Sequence, residues 1–334
     1  MTAAGARFIL PRLPVNASLR PIFALAVCVF PFAAGAAAQT RGADPAVARR
    51  PTFAARSALV VLSATAVDRD GRPVRDLAAH EFRVFEEGRP QPVTRFSTAR
   101  DLRARVLLLV DASGSMGSPE SSTSVRMAAV QLLAALGPDD EAALVAFDSQ
   151  SRTLAPFTRE RPALMRALDS LRHFGATALH DSLERAAEDV AAQGEGRRAV
   201  VVVTDGVDTT SRRSPEDVVA RSKALDVPIY ALSVVSPLDD PRSRLFTGRE
   251  RPLAAHAGQA QLDRYARLSG GGAFVVSDFP ALRGAAQTIA AELKHQYRLG
   301  YDAPDGPARF RRVEVKSTRK GVSVRTRSGY VPLS

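Results

Sequence analysis

The chain has 334 residues, 45% of them hydrophobic and 24% charged, which is typical of folded globular proteins and long enough for about two domains. One Cys and five His exclude a disulfide framework and leave little basis for a metal site built from Cys or His. The net charge is +11, but the basic residues are spread over the whole chain without an RNA-binding motif, a zinc finger or a basic–aromatic stripe, so we expect no nucleic-acid partner.

Residues 1–38 have the organisation of a secretory signal peptide. Three arginines, Arg7, Arg12 and Arg20, precede an apolar run at residues 22–30, and small residues then lead to Ala38. This order predicts cleavage near Ala38 and export to the periplasm or the medium. The apolar run is too short to span a membrane, so we expect no membrane span in the mature chain. An uncleaved N-terminal anchor is the alternative.

Two segments precede the main domain. Residues 39–56 are rich in Ala, Arg and Pro, lack periodicity and are predicted to be a disordered linker. Residues 57–100 form a predicted N-terminal β segment, because short alternating patterns near residues 60–66, 82–85 and 93–96 are separated by turn-forming residues.

Residues 101–296 alternate between strand and helix patterns. Strands are predicted at residues 106–110, 142–147, 199–203, 227–235 and 271–276, and helices at residues 125–136, 164–171, 179–192, 262–268 and 280–295, with a further helix beginning after Ser214. The strands are continuous apolar runs, as strands buried on both faces require. The alternation predicts an α/β fold with a doubly wound, mostly parallel sheet. Residues 236–258 show no regular pattern.

Residues 297–334 return to strand patterns and form a predicted C-terminal β segment. Strands are expected near residues 297–301, 312–316 and 322–327. Each flanking segment has too few strands to be stable alone. We therefore expect the two flanks to combine into one small β module beside the α/β domain.

Oxygen-bearing side chains follow the apolar strands of the α/β region. Asp111 and Asp205 each follow an apolar strand, Ser113 and Ser115 lie on the loop after Asp111, and Thr177 precedes a predicted helix. Ligands of open α/β sheets bind outside the carboxyl ends of the strands, at the point where the strand order reverses. An oxygen-only set of this kind suits Mg²⁺, with Mn²⁺ as an alternative.

The pattern resembles the von Willebrand factor type A (vWA) domain. Residues 111–115 match the D-x-S-x-S motif of that family, Thr177 stands where the family has a single Thr, and residues 204–206 (TDG) contain its second Asp. Together they look like a complete metal-ion-dependent adhesion site (MIDAS). The resemblance covers about residues 102–296.

The flanks are similar to those of bacterial exported proteins described as VWFA-related. The shared patterns are D-x-x-G at residues 68–71, F-x-V-x-E-x-G at residues 82–88, V-x-x-F at residues 93–96 and Q-Y-x-L-G-Y at residues 296–301. Their order along the chain makes the resemblance more specific than the D-x-S-x-S motif alone.

The resemblance implies a role for each site residue. Ser113, Ser115 and Thr177 would offer hydroxyl oxygens to Mg²⁺, and Asp111 and Asp205 would act partly through water. An acidic residue of a protein partner would take a remaining position on the metal. No general base is paired with a nucleophile, so the resemblance implies an adhesion or protein-binding module and not an enzyme.

Two other functions are compatible with parts of the sequence. An α/β serine hydrolase is the enzyme alternative, because residues 113–117 (SGSMG) partly match G-x-S-x-G, and Asp205 and His256 follow in triad order. That interpretation gives Asp111 and Thr177 no role. A structural scaffold whose metal only stabilises the fold is the other alternative. Nucleotide-binding glycine motifs are absent from the sequence.

Several neighbours of the candidate site are expected to be structural. His173 and His180 are predicted to be packing or helix-surface residues, and Met116 a packing residue. Asp181 and Asp208 are expected to be solvated or to support the loops. The sequence makes no prediction of the oligomeric state.

Overall fold

The computed structural model describes residues 59–98, 102–194, 196–234 and 253–332, without the side chains of residues 253–256. The predicted signal peptide and linker lie outside the described residues, as do residues 236–252 of the irregular segment. Among the described residues, no helix combines the length and hydropathy that a membrane span requires.

The described secondary structure alternates as predicted. In chain order the strands are β1 (Leu59–Val67), β2 (Phe82–Glu86), β3 (Arg89–Gln91), β4 (Arg95–Thr98), β5 (Ala104–Asp111), β6 (Glu141–Phe147), β7 (Ser151–Thr158), β8 (Arg197–Thr204), β9 (Ile229–Val234), β10 (Ala273–Val276), β11 (Tyr297–Asp302), β12 (Arg311–Ser317), β13 (Ser323–Arg325) and β14 (Gly329–Tyr330). The helices are α1 (Pro119–Ala135), α2 (Arg161–Asp169), α3 (Leu179–Ala191), α4 (Pro215–Leu225), α5 (Leu253–Ser269) and α6 (Phe279–Lys294).

The central sheet confirms the predicted fold class. Six strands lie in the order β10-β9-β8-β5-β6-β7, and all neighbours are parallel except β6 and β7. Val106, Leu108 and Val110 of β5 pack with α1, α2 and α6, whereas Leu107 and Leu109 pack with α3, α4 and α5. Each of these fully buried side chains contributes about 2 kcal/mol. Burial on both faces explains why β5 is an unbroken apolar run.

Two of the predicted helix boundaries are wrong. Helix α1 begins at Pro119, six residues before the predicted start at residue 125, because the Ser118 hydroxyl accepts the amide of Ser121 and Pro is favourable in the first turn. The same Ser-Pro-Glu signal places the start of α4 correctly after Ser214. Helix α5 begins at Leu253, so residues 253–258 of the segment without a predicted pattern are helical.

Strand β7 is not among the predicted elements. It lies at the edge of the sheet, runs antiparallel to β6 and has register shifts opposite Leu144. Four of its eight residues are exposed and only Ala155 is buried. Exposure of this kind removes both the apolar run and the regular alternation by which strands are recognised.

The flanking strands form two antiparallel sheets that share one core. One sheet has the order β13-β1-β11-β4 and the other β14-β12-β2-β3, so each contains strands from both flanks. Leu62, Phe82, Tyr297, Leu299 and Val315 belong to the shared apolar cluster. The predicted β module is therefore built jointly from the two flanks, although it contains β3 and β14 beyond the strands that were predicted.

A buried carboxylate organises the interior of this β module. Glu86 accepts hydrogen bonds from the hydroxyl of Tyr301 at 2.6 Å and the hydroxyl of Tyr330 at 2.8 Å. Its other oxygen pairs with the Arg311 guanidinium at 2.9 Å. These partners come from β11, β12 and β14, so one side chain of β2 connects the N-terminal flank to three C-terminal strands.

Polar contacts attach the β module to the α/β domain. Asp226, which ends α4 in a left-handed conformation, accepts the amide and the hydroxyl of Ser63 at 3.1 and 2.8 Å. Arg327 donates to the carbonyl of Lys223 at 2.7 Å and to that of Val61 at 2.8 Å. The end of α4 and strand β1 are therefore joined directly through Asp226 and also through Arg327, which contacts both elements.

We predict that Glu86→Ala destabilises the protein by about 3–5 kcal/mol, because it leaves the buried Arg311 cation without its carboxylate partner and two tyrosine hydroxyls without their acceptor. Glu314→Ala on β12 is the matched control, since Glu314 is 44% exposed and forms only a surface pair with Lys316. Urea unfolding of the two variants measures the difference. Equal stability of both variants would contradict the organising role of Glu86.

Candidate functional site

The candidate site lies where the strand order of the central sheet reverses. From β5 the chain continues to β6 on one side, and from β8 it continues to β9 on the other side. Asp111 is the last residue of β5, and Asp205 directly follows β8. Because β5 and β8 are parallel neighbours, both carboxyl groups lie at the same edge of the sheet.

Asp111 is held in place by two hydrogen bonds and has no exposed surface. One carboxylate oxygen accepts the amide of Ser113 at 2.9 Å, and the other accepts the Thr204 hydroxyl at 2.5 Å. Burial raises the pKa of Asp111 to about 6, and the nearby Asp205 charge adds to the rise, whereas hydrogen bonds from Ser113 and Thr204 oppose it. The site therefore contains a carboxylate whose charge is poorly compensated by the protein.

The two serines connect Asp111 to Asp205 through a chain of oxygens. The hydroxyls of Ser113 and Ser115 are 3.1 Å apart, and Ser115 donates to a carboxylate oxygen of Asp205 at 2.9 Å. Ser113 is buried and Ser115 is exposed. The set therefore reaches from the interior of the sheet edge to the protein surface.

Thr177 lies on a loop that joins the other two parts of the site. The amide of Gly114 donates to the carbonyl of Gly175 at 3.0 Å, which attaches this loop to the serine loop. The carbonyl of Thr177 accepts the amides of Thr209 and Thr210, and its amide donates to the Thr209 hydroxyl. Backbone contacts thus bring the Thr177 loop beside both carboxylate-bearing loops, with Thr177 itself buried.

Helix α5 supports the loop that carries Asp205, a contact that the sequence analysis missed. Gly206 has φ +87°, and a Cβ atom at this position would lie 2.8 Å from the backbone of Gly258 in α5. Only glycine combines this conformation with so close an approach. The Gly of T-D-G was a signal for an unusual backbone, but nothing local identified its neighbour, which is 52 residues later in the chain.

The neighbouring polar residues support the loops. Asp181 accepts the amides of Arg212 and Arg213, and Asp208 accepts the amide of His180 at 3.1 Å. The His180 ring lies edge-on to Tyr265, with centroids 6.0 Å apart. Burial lowers the pKa of His173, which favours its neutral form. Met116 is buried in the core beneath the site. The contacts of Asp181, Asp208, His180 and Met116 are those of residues that support the loops and the core.

The donor set fits a hard divalent cation. In the described part of the chain, neither Asp111 nor Asp205 has an Arg, Lys or His within ion-pair distance. The same part holds no group of three or more His, Cys, Asp or Glu residues suited to a metal. The candidate set instead combines two carboxylates with the hydroxyls of Ser113, Ser115 and Thr177, which is chemistry suited to Mg²⁺ or Mn²⁺.

The hydroxyls of Ser113 and Ser115 form hydrogen bonds within the candidate site. Ser115 donates to Asp205, and Ser113 lies beside Ser115, so the described contacts pair neither hydroxyl with a histidine. The triad histidine of the hydrolase alternative would be His256, whose side chain is outside the described part of the chain.

Comparison with known proteins gives a family match over the same region. The family model described as the von Willebrand factor type A domain matches residues 106–207, a span that contains all five candidate site residues. No curated protein matches the chain.

Solved structures with a similar arrangement are distant in sequence. An aerotolerance-related membrane protein from Bacteroides fragilis is 20% identical, with 57% of this chain and 98% of that chain covered and a TM-score of 0.45. A von Willebrand factor type A protein from Catenulispora acidiphila is 14% identical, with 84% and 75% covered and a TM-score of 0.47. Proximal thread matrix protein 1 from the mussel byssus, solved with zinc in its MIDAS motif, is 19% identical, with 63% and 50% covered and a TM-score of 0.46.

The family match and the observed sheet agree in position and in topology. The matched residues run from β5 through β8, the two neighbouring strands that carry Asp111 and Asp205. Residues 106–207 therefore match the von Willebrand factor type A domain family, and the six-stranded sheet around them has the vWA fold.

Proposed function

We propose that this protein is a metal-dependent protein-binding module. In this proposal Asp111, Ser113, Ser115, Thr177 and Asp205 hold Mg²⁺, with Mn²⁺ as a substitute, and an acidic side chain of a partner protein completes the coordination. The observation that carries the proposal is the fully buried Asp111 carboxylate, which lies beside a second carboxylate and has no cationic side chain within ion-pair distance among the described residues.

Charge compensation supports a divalent ion at this place. A buried carboxylate costs several kcal/mol unless an opposite charge compensates it, and a second carboxylate nearby adds to the cost. One divalent cation balances the charges of Asp111 and Asp205, while the hydroxyls add ligands without adding charge. Mg²⁺ prefers six oxygen ligands and usually keeps several waters, so positions remain for an external carboxylate.

The exposure of the site supports binding to a partner. Ser115 is exposed and hydrogen-bonded to Asp205, whereas Asp111 and Ser113 are buried. A metal held by both ends of this chain of oxygens would contact buried residues on one side and would be accessible to a partner on the exposed side. A metal that only stabilised the fold would need no accessible position, so the structural-scaffold alternative does not account for the exposed end.

We propose a non-catalytic role because of the contacts that the two serine hydroxyls make. The two serine hydroxyls interact with each other and with Asp205, an arrangement that suits metal coordination. Nucleophilic catalysis needs a base paired with the nucleophile, and the described contacts of these serines include none.

We predict that the purified protein binds Mg²⁺ and Mn²⁺, and that Asp111→Ala abolishes binding because half of the negative charge at the site is lost. Thr177→Ala is expected to weaken binding at least about tenfold. Asp189→Ala is the matched control, since Asp189 is a carboxylate of α3 that pairs with Arg185 outside the site. Isothermal titration calorimetry measures all four proteins. Unchanged binding in Asp111→Ala would place the metal elsewhere.

We predict that protein partners are retained only while the metal is present. Immobilised wild type, Thr177→Ala and Asp189→Ala are incubated with extract of the source organism in Mg²⁺ and then in EDTA. Wild type and Asp189→Ala are expected to release the same proteins on EDTA treatment, and Thr177→Ala to retain little. Metal binding without any EDTA-sensitive partner would favour the scaffold alternative.

We also propose that the protein is exported. The support is the order of charged, apolar and small residues in the segment 1–38. Intact-mass measurement of protein expressed from the full-length gene in a bacterial host is expected to give a chain beginning at Gln39. A mass that includes Met1 in the exported fraction would contradict cleavage and favour the uncleaved anchor.

A further inference from the structure

An exposed aromatic side chain stands beside the candidate metal site. Phe174 is 56% exposed, the highest value among the large hydrophobic residues in the described part of the chain. Its amide donates to the carbonyl of Ala112 at 2.8 Å, and Ala112 lies between Asp111 and Ser113. The backbone of Phe174 is therefore fixed within about 5 Å of the serine loop.

An arginine orients the Phe174 ring. The guanidinium carbon of Arg152 lies 5.3 Å from the ring centroid, in position for a cation–π contact. Arg152 is itself held by Asp148 at 3.0 Å, and the carbonyl of Asp148 accepts the amide of Ala178, next to Thr177. The ring, the arginine and the Thr177 loop thus form one connected surface.

Burial in the fold does not explain why an aromatic residue stands at position 174. A side chain more than half exposed contributes little hydrophobic free energy to folding. Burial of its apolar surface against a partner would instead contribute free energy to binding. Aromatic and arginine side chains are the residues that most often dominate binding energy at protein interfaces. Because backbone contacts already fix the loop, little conformational freedom would be lost on binding.

We propose that Phe174 and Arg152 form a second contact for the partner, which carries a large apolar side chain within about two residues of the acidic residue that reaches the metal. This inference rests on the function proposed above and specifies the chemistry of the partner. Two residues of extended chain span about 7 Å, which is comparable with the separation of about 5 Å between the Phe174 backbone and the serine loop.

The positive charge of this surface also favours a partner segment that contains an acidic residue. Arg152 is 44% exposed, and Arg172 on the Phe174 loop is exposed with described hydrogen bonds only to backbone carbonyls of its own turn. A bound divalent cation would add to this positive potential. An acidic and apolar segment is therefore complementary to the surface, whereas a basic segment is repelled by it.

A displayed peptide library with one fixed Asp and randomised flanks tests the inference. It is selected on the full mature chain in Mg²⁺, and the best peptide is then synthesised for affinity measurements. The variants are Phe174→Ser, Phe174→Leu and, as the matched control, Phe279→Ser. Phe279 is also an exposed Phe, 45%, with an arginine near its ring, but it follows β10, three strands away from β5.

The expected result is enrichment of Phe, Tyr, Trp or Leu within two positions of the fixed Asp. We expect Phe174→Ser to bind the synthetic peptide about tenfold more weakly, and Phe174→Leu and Phe279→Ser to bind it within about twofold of wild type. Mg²⁺ affinity measured by calorimetry is expected to be the same in all four proteins, which shows that the metal site is intact.

The outcomes separate this inference from the proposed function. Selected peptides that lack an apolar neighbour, equal affinities for Phe174→Ser and Phe279→Ser, or no enriched peptide despite Mg²⁺ binding would overturn the inference and leave the metal site standing. Absence of Mg²⁺ binding in wild type, or peptide binding that persists in EDTA, would overturn the proposed function as well.

Discussion

The charge of Asp111 is the constraint on which the site depends. This carboxylate ends the central strand β5, has no exposed surface and receives neutral hydrogen bonds from Ser113 and Thr204. Its pKa is raised mainly by burial and also by the neighbouring Asp205 charge, so the protein alone stabilises the ionised form poorly. Folding energy from the apolar strands on either side outweighs this cost. The imbalance that remains is one that the divalent cation proposed here would correct.

The loops around Asp111 are positioned by contacts that are largely independent of any ligand. Gly114 is bonded to Gly175, and α5 packs against Gly206 so closely that no side chain fits between them. Backbone hydrogen bonds and close backbone packing restrict thermal motion more than contacts between long side chains do. Preorganised oxygens of this kind reduce the entropy lost when an ion binds. Phe174 shares this property, because its amide bond to Ala112 fixes it to the same framework.

The parts that could be predicted from sequence are those whose signal is local. Strands buried on both faces leave apolar runs, so β5 and β8 and the acidic residues after them could be located directly, and Thr177 followed from its resemblance to a family pattern. Strand β7 could not, since an exposed edge strand has neither an apolar run nor strict alternation. The Glu86 cluster was also hidden, because its tyrosine partners are 215 and 244 residues away. Exposure of Phe174 has no sequence signature at all, as it depends on what the fold leaves uncovered.

The β module contacts the edge of the central sheet opposite to the candidate site. Segment 325–328 contacts the residues just before β10, since a Cβ on Gly270 would meet the backbone of Thr326, and the amide of Ser328 donates to the carbonyl of Leu268. Those residues precede the amino ends of the strands, whereas Asp111 and Asp205 follow the carboxyl ends. A strand of eight residues separates the two edges by about 25 Å. The flanks of the chain can therefore brace the domain through Arg327 and Asp226 without covering any oxygen of the proposed metal site.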